Sequence, residues 1–315
     1  MKVAVMGAGA VGCFYGGMLA RAGHEVTLIG RQNHVSAIRR DGLRLESLAF
    51  DEFIEVAACT DASGVAGADA ILLCVKSPDT EAAVLAMKPY LSESAVIVTL
   101  QNGVDNAERV RALVEREVLA AVVYVGSEMG GPGHVRHHGR GELIIEPGTS
   151  SERLARTLND AGISTSVSAN VRGALWEKLV LNCAYNAISA LVQLPFGDLC
   201  QRGGTAVNNA MRDIVAECIA VASADGVNIS RDVDETVARI MATIPAGQYS
   251  STAHDVATHR PSEIDHLNGH IVGRGAALGI ATPVNHLLTM MVRVLDHQRA
   301  DQRSTKAASA DGVLI

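Results

Sequence analysis

Three glycines near the start of the chain have a spacing that suits the binding of a phosphate group. They are Gly7, Gly9 and Gly12 in the segment KVAVMGAGAVG. An apolar run typical of a buried strand precedes them, and a helix-forming segment follows. Glycine there permits a tight turn, close approach of the backbone to a pyrophosphate and close packing of helix on strand. With the N–H groups of Ala10 and Val11 at the helix start, the segment predicts a dinucleotide site; a glycine turn without a ligand is the alternative.

The residue that selects the dinucleotide is expected at the end of the second strand, Glu25 to Ile29. An acid at this place binds the ribose 2′-hydroxyl in NAD-specific versions of the unit, but here Gly30 and Arg31 follow the strand. A guanidinium binds a 2′-phosphate through charge-assisted hydrogen bonds, whereas a carboxylate repels it. Arg31 therefore favours NADP(H), with a solvated surface arginine as the alternative.

Two further polar residues follow apolar runs that read as strands. Lys76 comes after Ala70 to Val75, and Asn102 comes after Ala95 to Leu100. Ligands of open α/β sheets bind at the carboxyl ends of parallel strands, so both residues are candidates for the cofactor site. Each could equally be an ordinary turn residue, since Asn-Gly is a common turn pair.

In the second half of the chain, Lys178, Asn182 and Asn186 recur at a spacing of four in a helical segment predicted from Val171 to Val192. This spacing puts all three side chains on one face. Asparagine competes for backbone hydrogen bonds inside a helix, so two of them in register with a lysine indicate a polar stripe facing a cleft. A plain solvated face is the alternative.

An acidic residue and a serine-rich segment complete the set of candidates. Pro261 is predicted to start a helix, which would place Glu263 in a first turn, where the helix dipole favours its charge. The connection from Pro245 to Arg260 carries Ser250, Ser251 and Thr252. On its own, Glu263 is simply an acid that stabilises a helix.

The elements that must position these residues form two groups. Strands and helices alternate up to about residue 168, which predicts an α/β fold, a Rossmann-type doubly wound and mostly parallel sheet. Helical patterns then continue to about residue 300. We therefore predict an NADP-binding domain at 1–168 and an all-helical substrate domain at 169–315, with a frayed tail from about residue 300.

The segment from His134 to Ile145 is expected to form a hairpin with its turn at Gly139 to Gly141. Its histidines, at 134, 137 and 138, invite a metal site. A cysteine or carboxylate partner at a familiar spacing is missing, so no metal is predicted.

Composition excludes several classes of partner. The net charge is −7 and only 3% of the residues are aromatic, so we expect no nucleic-acid surface. No apolar run reaches the roughly 20 residues of a membrane span, and the first strand begins at the N-terminus, so no membrane contact and a cytoplasmic location are expected. Six scattered cysteines without a C-x-x-C spacing indicate reduced core residues. The expected partner is a small molecule, together with a possible homodimer through the apolar helices of the second half.

Taken together, these segments resemble the ketopantoate reductase (2-dehydropantoate 2-reductase) family. The resemblance covers nearly the whole chain to about residue 298. Its motifs are the glycine loop with Gly30-Arg31, Cys74-Val75-Lys76, Gln101-Asn102-Gly103, Trp176 to Leu179 with Asn182 and Asn186, and Ser250-Ser251 ahead of Glu263-Ile264-Asp265.

The resemblance implies an enzyme, an NADP-dependent oxidoreductase that reduces 2-dehydropantoate to pantoate in pantothenate biosynthesis. It implies that Lys178 is the general acid that protonates the ketone oxygen as NADPH delivers hydride, and that Glu263 holds the substrate hydroxyl. Asn102, Asn182, Asn186 and Ser251 would position the substrate or the nicotinamide. This agrees with the chemistry, because an ammonium stabilises negative charge that develops on a carbonyl oxygen.

Other activities stay open. The segment from Thr252 to Asp255 and the approach through His259 depart from the family pattern, so the enzyme could reduce another 2-keto acid. A β-hydroxyacid dehydrogenase also pairs a glycine loop with a lysine and an asparagine, but the block from Ser251 to Glu263 argues against it. A non-catalytic NADPH sensor would have no need for a proton donor.

Overall fold

The computed structural model describes the backbone of residues 1–311 and the side chains of residues 1–298. The chain divides into two compact units, one from Met1 to Leu175 and one from Trp176 onward. This division falls inside the helix that begins at Val171. The sequence predicted a frayed tail from about residue 300. Its last part, residues 312–315, lies outside the described residues.

The described residues of the first unit contain a ten-stranded sheet. Its strands are β1 (Lys2–Met6), β2 (Glu25–Ile29), β3 (Leu43–Glu46), β4 (Asp51–Ile54), β5 (Ala57–Cys59), β6 (Ala70–Leu73), β7 (Val96–Thr99), β8 (Glu117–Gly131), β9 (His134–Ile145) and β10 (Thr165–Val167). The helices of this unit are α1 (Ala10–Arg21), α2 (Gln32–Asp41), α3 (Thr80–Met87), α4 (Asn106–Arg111) and α5 (Ser151–Asp160).

The strand order is β4-β3-β9-β8-β7-β6-β1-β2-β5, with β10 paired to β9. All pairs from β8 to β5 along this order are parallel. Strands β6 and β7 are buried along their whole length, which explains why every residue in them except Thr99 is Ala, Ile, Leu or Val. The predicted fold class, a Rossmann-type α/β unit followed by helices, is confirmed.

The predicted hairpin within His134 to Ile145 is wrong. This segment is a single strand, β9, which pairs antiparallel with β8, and the turn lies at Pro132 and Gly133. The register shifts near Gly126, where β8 faces Gly139, and both Gly139 and Gly141 have φ of 133°. The glycines that suggested a turn therefore form bulges, in which an extra residue bends a strand.

The helix α1 is surrounded by sheet. Besides β1 and β2 it packs against β3, β8 and β9. Most of its side chains are consequently buried, among them Cys13, Phe14, Tyr15 and Leu19. Strand β9 also connects β3 to β8, so the far part of the sheet closes over this helix.

Helices make up the described part of the second unit. They are α6 (Val171–Val192, which begins in the first unit), α7 (Phe196–Ala224), α8 (Val233–Thr243), α9 (Ser251–Ala257), α10 (Asn268–Leu278) and α11 (Pro283–Asp311). Helix α7 packs against α8, α10 and α11, and α9 packs against α11. The predicted bounds of α6 are confirmed.

One local prediction in this unit is wrong. It does not concern α7, in which the non-helical Gly204, with φ of 50°, separates a first part from Phe196 from a second part that ends at Ala224. Pro261 does not start a helix: residues 258–263 are not helical, and Glu263 is the N-cap residue of a short 3₁₀ turn, Ile264–His266. The serine-rich connection instead contains helix α9, because Ser250 caps its N-terminus by accepting a hydrogen bond from the Ala253 N–H at 3.0 Å.

No single helix among the described residues is long and apolar enough to cross a membrane. The helices α6 and α7 together have the length and apolar composition of a membrane span, but a bend of 99° separates them.

Candidate active site

The glycine loop joins β1 to α1 and is held by backbone hydrogen bonds. The N–H groups of Gly7 and Ala8 donate to the Ile29 carbonyl at 3.0 and 2.8 Å, so the loop is tied to the end of β2. Helix α1 then begins at Ala10, with Gly9 as its N-cap residue. The first N–H groups of this helix are the ones that an anion can bind.

The three glycines of the loop have different surroundings. Gly7 has φ of +114°, and a Cβ atom there would lie 2.6 Å from the Cys74 carbonyl carbon and the Val75 nitrogen. A Cβ atom on Gly12 would meet the Gly7 carbonyl oxygen and would lie 2.8 Å from Val5 Cγ1. At Gly9, in contrast, no atom lies within 4 Å of that position. Gly7 and Gly12 are therefore required by packing, and the open side of Gly9 fits the close approach of a dinucleotide pyrophosphate.

The end of β2 presents Arg31 and no carboxylate. Arg31 is exposed and precedes the first residue of α2 as its N-cap. Gly30 donates from its N–H to the Cys59 carbonyl at 3.0 Å, and a Cβ atom on it would lie 2.6 Å from the Ala8 Cβ. The guanidinium is thus attached to the strand end that contacts the glycine loop.

Lys76 and Asn102 lie at the same edge of the sheet. The strands β6 and β7 that precede them are parallel neighbours, with Leu73 paired to Thr99. Both residues are half-buried. Hydrogen bonds join their two segments directly, because Ser77 Oγ donates to the Asn102 carbonyl oxygen at 2.8 Å. The structure therefore brings these two predicted site residues onto connected segments.

Two cysteines lie next to the glycine loop and are kept as neutral thiols. Burial raises the pKa of Cys13 from 9.0 to about 12. Burial, followed by the nearby Cys13, also raises the pKa of Cys74. Anionic thiolates next to a phosphate site would repel the phosphate, so the protonated state of both thiols is compatible with an anionic ligand.

In the second unit, α6 carries the predicted polar stripe. Lys178 and Asn182 are half-buried, and Asn186 is only 4% exposed. The Asn186 carbonyl accepts a hydrogen bond from Ser250 Oγ at 3.1 Å. Since Ser250 caps α9, this bond holds Ser251, the first residue of α9, next to the Asn186 end of the stripe.

A second set of bonds places the segment that carries Glu263. The backbone N–H and the Oγ of Ser262 both donate to Asp296 Oδ2, at 3.2 and 2.6 Å. Ser262 Oγ also accepts from the Ile264 N–H at 3.3 Å. Glu263 is half-buried between these two anchored residues. Its position is therefore fixed by α11 and not by the helix dipole that the sequence had suggested.

Several residues that support the site were not predicted. In the first unit they are Ser77, Thr80, Gln101, Asn106 and Arg109, and in the second they are Tyr185, Ser189 and Ser262. Most of their bonds join residues that are far apart in the chain, so local patterns do not indicate them. Ser250 differs, because the sequence already named its segment and serine is favoured at a helix N-cap.

The three histidines of β9 have different partners. His134 Nε2 lies 2.8 Å from Glu46 Oε2, and His138 Nε2 lies 3.4 Å from Glu128 Oε1. The His137 ring stacks on Phe14 with a centroid distance of 4.2 Å. Among the described residues no group of three or more His, Cys, Asp or Glu side chains is arranged to hold a metal ion.

Comparison with known proteins assigns the family. The model described as "Ketopantoate reductase PanE/ApbA" matches residues 3–150, and the model of its C-terminal part matches residues 170–296. The chain belongs to the ketopantoate reductase family. The resemblance that the motifs indicated is thereby confirmed.

Relatives of known name cover almost the whole chain. A 2-dehydropantoate 2-reductase of Halobacterium salinarum is 36% identical over 93% of this chain and 98% of the relative. The enzyme of that name from Pyrococcus horikoshii is 31% identical over 93% and 97%. Among solved structures, a PanE/ApbA family ketopantoate reductase from Ralstonia eutropha JMP134 is 58% identical, with a TM-score of 0.91, over 95% of this chain and 100% of that one.

A structure with a different activity is also similar. The ternary structure of D-mandelate dehydrogenase with NADH and anilino(oxo)acetate is 25% identical to this chain, with a TM-score of 0.88. It covers 95% of this chain and 100% of its own. The same fold thus occurs in proteins named for the reduction of a 2-keto acid, 2-dehydropantoate, and for the oxidation of a 2-hydroxy acid, mandelate.

Proposed function

We propose that the protein is an NADPH-dependent oxidoreductase that reduces 2-dehydropantoate to pantoate. The observation that carries this proposal is the similarity to 2-dehydropantoate 2-reductases along nearly the full length of both chains, at 36% and 31% identity. The glycine loop supports it, since Gly9 is open to a pyrophosphate.

The preference for NADP(H) rests on Arg31. Its exposed guanidinium follows β2, where the ribose of a dinucleotide is bound in this fold. Gly7, Gly9, Ala10, Val11 and Gly12 would hold the pyrophosphate. Lys76 and Asn102 would contact the cofactor from the next strands. When bound, NADPH supplies the hydride for reduction of the ketone.

Lys178 is proposed as the group that gives a proton to the ketone oxygen. Reduction places negative charge on that oxygen, and an ammonium stabilises the charge before it transfers the proton. A lysine titrates near pH 10.4 when unperturbed, so its charged form is the ordinary one at neutral pH. Glu263 would bind the substrate hydroxyl, while Asn182, Asn186, Ser251 and Asn102 would orient the 2-keto acid.

The decisive experiment is a panel of 2-keto acids with NADPH and with NADH, followed by loss of absorbance of the reduced nicotinamide. The expected result is fastest turnover of 2-dehydropantoate with NADPH. Turnover of none of the acids would contradict the proposal and favour an NADPH sensor. A faster reaction with another acid would retain the reductase but change its substrate.

The role of Lys178 has its own test. Lys178→Ala is expected to lower kcat by roughly 10²- to 10⁴-fold, the usual contribution of general acid catalysis. Lys88→Ala is the matched control, because the Lys88 ammonium donates to the Leu113 carbonyl in the first unit. Equal turnover of the two variants would exclude Lys178 as the proton donor.

A second candidate is the reduction of an aromatic 2-keto acid. The similarity to D-mandelate dehydrogenase favours it, as do the departures from the family pattern near His254 and His259. The panel should therefore include phenylglyoxylate, the keto acid that corresponds to mandelate. Faster turnover of this acid, particularly with NADH, would favour the second candidate.

We further propose a homodimer formed through α11. Its side chains Leu287, Met290, Met291 and Val294 are between 40% and 53% exposed. Their spacing of three and four residues places them in one stripe, the pattern by which helices pack against each other. A second copy of α11 offers a matching stripe when the two are related by a twofold axis.

The cytoplasmic location is likewise kept as a proposal. It is supported by the six cysteines, all of which are free thiols. Reduced thiols are typical of compartments that keep glutathione and thioredoxin reduced.

A further inference from the structure

A buried group of polar side chains lies beneath the segments of Lys76 and Asn102. It consists of Ser77, Thr80, Gln101, Asn106 and Arg109, and we call it the rim network. Ser77 and Thr80 are 0% exposed, Asn106 3% and Gln101 6%. Burial of so many polar groups is unfavourable unless each is hydrogen-bonded, so the bonds they form are informative.

Asn106 is the centre of the rim network. Its side-chain Nδ2 donates to the Asn102 carbonyl at 2.7 Å and to Ser77 Oγ at 3.2 Å. Its Oδ1 accepts from Thr80 Oγ1 at 3.2 Å and from Arg109 Nη1 at 3.0 Å. One amide therefore connects helix α4 with both segments that follow β6 and β7.

Ser77 is the second connecting point. Its hydroxyl donates to the Asn102 carbonyl, and its own carbonyl accepts from Thr80 Oγ1 and Arg109 Nη2, both at 2.9 Å. Gln101 Nε2 donates to Thr80 Oγ1 at 2.7 Å. The peptide that follows Lys76 and the peptide of Asn102 are thus fixed from several directions.

Arg109 closes the network toward the surface. It pairs with Glu81 through two hydrogen bonds of 2.7 and 2.6 Å, a bidentate geometry. The hydrogen bond to Glu81 makes the largest contribution to raising the pKa of Arg109, and the negative charge of Asp105 raises this pKa further. A permanently charged, bidentate arginine holds the Ser77 carbonyl and Asn106 in a single arrangement.

None of these bonds belongs to the ladders of the sheet. They join the two segments that follow β6 and β7 to side chains of α3 and α4, where apolar side chains could have filled the same space without the cost of buried polar groups. What the rim network adds is a defined position of the backbone next to Lys76 and Asn102. Such support determines how accurately a site is held.

We infer that Ser77 and Asn106 are positioning residues, which hold Lys76 and Asn102 in the geometry that binds the nicotinamide dinucleotide. This inference rests on the cofactor roles proposed above for Lys76 and Asn102. It adds two residues that act through these neighbours, without contact to the cofactor or the substrate.

The test compares two serine variants that remove the same kind of bond. Ser77→Ala removes a buried hydroxyl that donates to the Asn102 carbonyl at 2.8 Å. Ser151→Ala, the matched control in the same unit, removes a hydroxyl that is 1% exposed and donates to the Glu146 carbonyl at 2.6 Å. For each variant, Tm, the Kd for NADPH, and kcat and KM with 2-dehydropantoate are measured.

Both variants are expected to lower Tm, since each leaves a carbonyl with one donor fewer. Only Ser77→Ala is expected to raise the Kd and the KM for NADPH, by at least about tenfold, because a misplacement of about 1 Å in a site can cost 10²-fold. Equal Kd values in the two variants would overturn the inference and leave the rim network a purely structural feature.

A second variant covers the case that Ser77→Ala does not fold. Asn106→Asp keeps the acceptor contacts to Thr80 and Arg109 but loses the donors to the Asn102 carbonyl and Ser77. It should show the same rise in the Kd for NADPH, and an unchanged Kd would also refute the inference. If the wild-type protein binds NADPH without reducing any acid, the proposed reaction fails, while the binding measurements still decide the role of Ser77.

Discussion

Replacement of Gly9 by alanine separates folding of the glycine loop from binding of the cofactor. Gly9 has φ of −90° and ψ of −167°, values that alanine adopts without strain, and a Cβ atom there meets no atom within 4 Å. Alanine at an N-cap is less favourable than glycine, but it also lowers the entropy of the unfolded chain. We expect these effects to leave the free energy of unfolding within about 1 kcal/mol of the wild type.

In the binding mode proposed above, the same methyl group would occupy the space that the pyrophosphate needs. A displacement of the cofactor by about 1 Å costs up to 10²-fold in a well-oriented site. Gly9→Ala should therefore raise the Kd for NADPH by roughly 10- to 100-fold, which corresponds to about 1.4 to 2.7 kcal/mol of binding free energy. The assay is fluorescence titration with NADPH, together with thermal unfolding of the same sample without cofactor.

Gly7→Ala is the matched comparison. It forces alanine into φ of +114° and a contact of 2.6 Å with the backbone at Cys74. Strain of this kind costs about 1–3 kcal/mol, so Tm should fall by roughly 2–12 °C. A Gly9→Ala protein that binds NADPH as tightly as the wild type would refute the reasoning, and so would one that is destabilised as much as Gly7→Ala.

Three further predictions concern other parts of the molecule. Arg31→Ala should raise the KM for NADPH by roughly 10- to 100-fold and leave the KM for NADH unchanged, because only NADPH has a 2′-phosphate for a charge-assisted bond. The control is Arg153→Ala, at another exposed arginine, and an equal rise in its KM for NADPH would contradict the role of Arg31. Burial raises the pKa of Cys13 from 9.0 to about 12. At pH 8 its thiolate fraction is therefore roughly a thousandfold lower than that of a cysteine with a pKa of 9.0. Alkylation should leave Cys13 unmodified in the native protein, and stability should fall as the pH rises from 9 toward 12, with a smaller slope in Cys13→Ala. Met290→Glu should convert a dimer to monomers in light scattering, whereas Leu85→Glu, at a residue that is 54% exposed on α3, should not; an unchanged mass of both would argue against the α11 interface.

Sequence reasoning located the features that depend on local patterns. The glycine loop and α6 were found because spacing along a few turns of chain determines which residues share a face or a turn. The place of Arg31 at the end of β2 was found because its position is fixed relative to that strand, and its role in cofactor choice stays a prediction. In each case the residues that form the pattern lie within about 25 positions of one another in the chain.

The errors have a different origin. Gly139 and Gly141 suggested a turn, but glycine also occurs at bulges, and only the pairing of β9 with β8 distinguishes the two. Pro261 suggested a helix start, but the bonds from Ser262 to Asp296 hold the chain in another conformation. The rim network could not be found at all, because Ser77 and Asn106 are 29 residues apart and are brought together only by the sheet.

The enclosure of α1 has a consequence for the order of folding. Strands β3, β8 and β9, which contact this helix, include residues more than 100 positions further along the chain. A fragment that ends after β2 cannot bury Phe14 or Tyr15, so it lacks the contacts that would stabilise the helix behind the glycine loop. Although the glycine loop lies near the start of the chain, the structure around it is complete only after β9 has paired with the sheet. Long-range pairing of this kind is slow. During synthesis on the ribosome, the glycine loop would therefore reach its final support only after residue 145 has left the exit tunnel.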